Sequence, residues 1–172
     1  LKNGSDRQKL FVINEIKNLE SNKLKTQLDK IFFDQSSVIQ KEILLYSEND
    51  NNILSDNTII NISKSNNKNL KNKGILIGTK RKINEILKIV RPLLKDPDQN
   101  IKAVSNLSLI IFNSDIKAEG EKELYQMLDS EDSNTKYVAL KIISSFPYIL
   151  SLKKIDELID SNNSNIKLLL VK

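Results

Sequence analysis

Asp96 and Asp98, followed by Asp129 and Asp132, are the side chains whose type and spacing come nearest to chemistry, because neighbouring carboxylates can hold a cation or pass a proton. Neither pair has the spacing of a calcium loop. Both flank breaks between apolar stretches, where Asp serves turns and helix starts, and that duty explains their positions. The chain contains no Cys and no His, which removes thiolate nucleophiles, imidazole bases and Cys/His zinc sites. Gly74 and Gly78 form neither a phosphate loop nor a dinucleotide fingerprint, since the flanking Gly and Gly-Lys-Ser/Thr residues those motifs need are missing. No cofactor, metal or small-molecule substrate is expected, and the chain reads as non-enzymatic.

Binding chemistry is better represented. Between Asn57 and Lys95 there are ten basic residues against the single acid Glu85, a net of +9 in a chain whose total is +5. The next charged stretch, Asp115 to Asp132, has seven acids and two Lys, a net of −5. Lys71, Lys73, Lys80, Arg81, Lys82, Lys88 and Arg91 are therefore candidates for docking an anion: an acidic protein, nucleic-acid phosphate or a lipid headgroup. The plainer alternative is a solvated Lys-rich surface. No aromatic residue lies between Asn49 and Ile111, so base stacking has no platform there, which weakens the nucleic-acid alternative.

The elements that carry these residues are helical by composition. Only 4 Gly and 3 Pro occur, aromatics are 5%, and Leu and Ile dominate the apolar set. A phase marker repeats: stepping by 31 residues links Gln8, Ile39, Leu70 and Ile101, then a step of 34 reaches Thr135 and one of 31 reaches Ile166. The residue after the marker is Lys at Lys9, Lys71, Lys102, Lys136 and Lys167. Each could pair with an acid of the next unit or line a positive row, and pairing is preferred. Three residues before the marker stand Ser5, Ser36, Asn67, Asp98, Asp132 and Asn163, all helix-capping types, so a helix is expected to start at each.

Read in order, apolar residues at helical spacing carry successive helices: Leu10, Val12, Ile13 and Ile16; Leu24, Leu28, Ile31 and Phe32; Val38, Ile39, Ile43 and Leu44. Ser47 to Lys73 is Asn-rich; a helix from Asp56, as cap, to Ser63 competes with a long mobile loop, and 64–69 is expected to be exposed. Gly74 to Gly78 reads as a closely packed apolar helix or a strand. A helix follows over Lys82 to Leu94, kinked by Pro92 near Lys88 to Arg91. Gln99 to Phe112, apolar nearly all round, suits a helix covered on both sides. Asn113 to Gly120 reads as a connection, Glu121 to Leu128 and Asn134 to Phe146 as helices, and Pro147 as a stop. Of the aromatics, Phe146 is expected in the core, while Tyr125, Tyr137 and Tyr148 are left between core and surface.

The run Ile89 to Lys102, with Arg91-Pro92-Leu93-Leu94, the turn Asp96-Pro97-Asp98 and the opening Asn100-Ile101-Lys102, resembles the HEAT-repeat family, in particular its short bacterial-type units. Asn134 to Ser145 is similar to the trunk repeats of adaptin and coatomer subunits. The match extends from Lys82 to the end, is fainter over Ser5 to Tyr46 and lapses over Ser47 to Gly78. Lys replaces the usual Arg after the marker, which argues against a ladder of bidentate pairs. The resemblance implies an armadillo-like binding scaffold.

The expected architecture is all-α, an α-solenoid of about five to six HEAT-like helix pairs near 1–33, 34–62, 63–94, 95–128, 129–159 and 160–172 in one domain. Leu168 to Lys172 stops within an apolar helix, as a fragment of a longer protein would. No apolar run reaches the roughly 20 residues of a membrane span, and LKNGSDRQK lacks a signal-peptide core. The absence of Cys leaves the compartment open, with the cytoplasm slightly preferred. The expected function is a non-catalytic scaffold that binds another protein, the alternative being an anion binder acting through 64–95.

Overall fold

The computed structural model describes residues 3–17, 22–51 and 53–146. Among them all regular structure is helical, with nine α-helices and no strand. The chain forms two compact units, 1–83 and 84–172. Regions 18–21 and 147–172, including Tyr148, Asn163, Lys167 and the last expected pair, lie outside the described residues.

The first unit contains α1 (Asp6–Lys17), α2 (Asn22–Ile31), α3 (Ser37–Ser47), α4 (Asp56–Ser63) and α5 (Lys68–Lys80), with a 3₁₀ turn at Phe32–Asp34 after α2. α1 packs on α3, α3 on α5, and α4 on α5. The second unit contains α6 (Glu85–Val90), α7 (Gln99–Ile111), α8 (Lys117–Leu128) and α9 (Ser133–Ile143). α7 is its centre, touching α6, α8 and α9.

Helix starts follow the capping column. The Ser36 hydroxyl accepts from the Ile39 amide at 3.5 Å, and the Asn67 carboxamide from Asn69 and Leu70 at 3.0 and 3.2 Å. Asp98 accepts from Asn100 and Ile101 at 3.0 and 3.3 Å, and Asp132 from Asn134 and Thr135 at 3.3 and 2.9 Å. Ser5 and Gln8 exchange bonds as a capping box, the Ser5 amide donating to Gln8 Oε1 at 2.9 Å and the Gln8 amide to Ser5 Oγ at 3.4 Å. Among the described residues, α1, α3, α5, α7 and α9 thus each open on a side chain that satisfies otherwise orphaned N–H groups.

The Asn-rich middle is helical. α4 spans Asp56–Ser63, but its cap is Ser55, whose hydroxyl accepts from the Thr58 amide at 3.3 Å, with Asp56 in the first turn. Its β-branched residues are tolerated because Ile59 and Ile62 are fully buried, a tertiary gain that outweighs their weak propensity. Lys64, Asn66, Asn67, Lys68 and Asn69 are exposed. Gly74 to Gly78 lies inside α5. A Cβ on Gly74 would come within 2.7 Å of the Ser63 backbone nitrogen, so glycine there allows α4 and α5 to close together.

Four boundaries differ from expectation, one of them the end of α9, which lies at Ile143 and not at Phe146. α6 begins at Glu85, not Lys82, because Lys82 adopts φ 58° and closes α5: its N–H donates to Thr79 O at 3.1 Å and that of Ile83 to Gly78 O at 2.9 Å, a Schellman ending. Asn113, φ 51°, ends α7 in the same way. Pro92 converts the end of α6 to a 3₁₀ turn at Arg91–Leu93. α8 starts at Lys117 and includes Gly120, where a Cβ would meet the Asn106 carbonyl at 2.8 Å; this glycine serves helix contact with α7 and does not break the helix.

Candidate functional site

The seven basic residues singled out by charge have dissimilar surroundings. Arg81, just past α5, is nearly enclosed, its side chain only 6% exposed. Its Nη1 donates to Leu54 O at 2.5 Å, and its Nη2 to Ser47 O and Asp50 O at 3.2 and 3.4 Å, with Asp56 at 3.8 Å. Burial lowers its pKa, while Asp56, Asp50 and Asp29 oppose the shift. The guanidinium therefore ties Ser47, Asp50 and Leu54 to the end of α5, and its unpartnered nitrogen, Nε, is buried away from any external anion.

Lys73, on α5, pairs with Glu48. Arg91, in the second unit, pairs with Asp115, and the hydrogen bond from Arg91 holds that carboxyl below its usual range. Lys71 is half-buried, Lys80 and Lys82 are exposed at the C-terminal end of α5, and Lys88 is exposed on α6. The seven are thus divided between an internal clamp, two ion pairs, the half-buried Lys71 and three exposed lysines, and fall in both units.

The recurring lysines find one clear partner. Lys102 Nζ of α7 lies 2.8 Å from Glu123 Oε2 of α8, and both side chains are mostly shielded. Lys9, Lys71 and Lys136 are half-buried. Asp96 accepts from the Asp98 amide at 2.8 Å, and Asp98 and Asp132 are caps. Among the described residues no group of three or more His, Cys, Asp or Glu side chains is placed to hold a metal, and no helix is long and apolar enough to cross a membrane.

The surface feature that sequence reading missed is apolar. Among the described residues six large hydrophobic side chains are exposed, and five of them, Phe11, Val12, Phe33, Val38 and Leu45, belong to the first unit. Val38 and Leu45, 52% and 40% exposed, are seven residues apart and so share a face of α3. Val12 and Val38 stand at helical spacing with buried neighbours, yet both face solvent, because helical period alone does not say which neighbour covers a face. Phe33 meets Phe32 edge to face at 5.2 Å, with Phe32 buried and Phe33 outside. Phe146 is in the core, Tyr125 is half-buried and Tyr137 is exposed.

Comparison with known proteins gives no match to a family model, a curated protein or a solved structure.

Proposed function

We propose that the chain is a non-catalytic, protein-binding scaffold built of HEAT-like helix pairs, and that its first unit grips a partner through the apolar stripe of α3. The observation that carries this reading is the exposure of Val38 and Leu45 on one face of a helix whose Ile39, Ile43 and Leu44 are buried. The periodic caps at Ser5, Ser36, Asn67, Asp98 and Asp132 support the repeat. The anion-binding alternative is weakened because Arg81, Lys73 and Arg91 are engaged within the protein.

The test is affinity capture with three chains: the wild type, Val38→Glu/Leu45→Glu, and Lys71→Gln/Lys80→Gln/Lys82→Gln. A protein partner retained by the lysine variant and lost by the apolar variant is expected. Binding that follows the lysines, weakens with salt and is abolished by nuclease would replace the scaffold reading with nucleic-acid binding.

A further inference from the structure

α1 presents to solvent a face that its sister helices bury. At the repeat steps, Val12 corresponds to Ile43, Gly74, Ser105 and Ala139, all buried. In α5 that position is closed by α4, with Gly74 against Ile62 and Ser63. On α1, Val12 is 40% exposed and the adjacent Phe11 66% exposed. An open groove of about 610 Å³ lies beside them, lined by Asn3, Gly4, Arg7, Gln8, Phe11 and Val12.

The charges around Phe11 say what fits. Arg7, Phe11 and Glu15 are all exposed and are four residues apart, hence on one helix face. Turned end for end about a twofold axis through Phe11, this pattern is its own complement: Arg7 meets Glu15, Phe11 meets Phe11, and Glu15 meets Arg7. A self-complementary patch is the requirement of an isologous interface. We propose that a second copy of this chain docks on this face, α1 against α1, antiparallel. Two aromatic rings meet at the centre, and the flanking opposite charges fix the direction. A single helix pair buries less than the roughly 1,200 Å² of a standard interface, so a weak, reversible dimer is expected.

Sedimentation equilibrium of the full chain from about 10 μM to about 1 mM tests this, a range chosen to bracket a weak interface. The wild type is expected to move from monomer to dimer, and Phe11→Asp to stay monomeric. Arg7→Glu alone should weaken association at least about tenfold, and Arg7→Glu/Glu15→Arg should return it to within about threefold of wild type, because only the swapped pair restores both contacts. The rescue separates lost docking from lost folding. A wild type that remains monomeric throughout would assign the face to a different chain, and a dimer indifferent to Arg7→Glu would place the contact elsewhere; either result overturns the proposal.

Discussion

The guanidinium of Arg81 donates to the main-chain carbonyl of Leu54 at 2.5 Å, across 27 residues of sequence. This contact, with those to Ser47 and Asp50, fixes a segment whose composition reads as loop. Arg81→Ala leaves shielded carbonyls short of a donor and removes the opposite charge near Asp56. It should destabilise the first unit by about 3 kcal/mol, seen as a lower urea midpoint together with faster amide exchange over 47–55. Arg81→Lys should rescue little, because one ammonium cannot reproduce the fork.

Gly74→Ala is a test of close packing. In an open helix the change would stabilise by about 1 kcal/mol. Here the new methyl meets backbone of α4 at 2.7 Å, so α4 must shift, and a net loss of roughly 1–3 kcal/mol is expected in denaturant unfolding.

Lys82 makes the opposite prediction. It occupies the left-handed region that glycine enters freely, so Lys82→Gly should stabilise by about 0.5–1 kcal/mol in thermal or urea unfolding.

Capping can be read out by pH. The Asp132 carboxyl is held below its usual range, first by the Thr135 hydroxyl and then by the Thr135 and Asn134 amides. A depressed folded pKa means that its contribution is complete above the ordinary Asp value, about 3.9, and is lost as pH falls through the lower folded value. NMR titration should show the Thr135 amide shifting with that low pKa, and Asp132→Asn should retain α9 while removing the titration. At the equivalent position, Asp98→Ala should cost about 1 kcal/mol and Asp98→Asn little.

Much of this was legible in the sequence where the cause is local. Caps at Ser36, Asn67, Asp98 and Asp132 were visible because a short polar side chain bonds amides only two or three residues ahead. The Pro92 disruption is legible for a similar reason, whereas α4 competes in the sequence with a mobile loop and is decided by the burial of Ile59 and Ile62. What escaped depends on contacts distant in sequence. Gly120 reads as a break until the Asn106 carbonyl stands against it. Arg81 reads as one more surface cation until Leu54, Ser47 and Asp50 are seen around it. Val12 and Val38 stand at helical spacing, but spacing gives a face and not its cover. The apolar stripe is therefore hidden among residues at ordinary helical spacing, while three of the seven conspicuous cations, Lys73, Arg81 and Arg91, make contacts within the protein.

The account rests on paired helices repeating through the Asn-rich middle of the chain. Residue-resolved amide exchange with backbone chemical shifts tests this most directly. Helical shifts and slow exchange over 56–63 and 68–80, with fast exchange confined to the 64–67 turn, are the predicted result. Strand shifts at 74–78, or unprotected amides throughout 47–73, would contradict it.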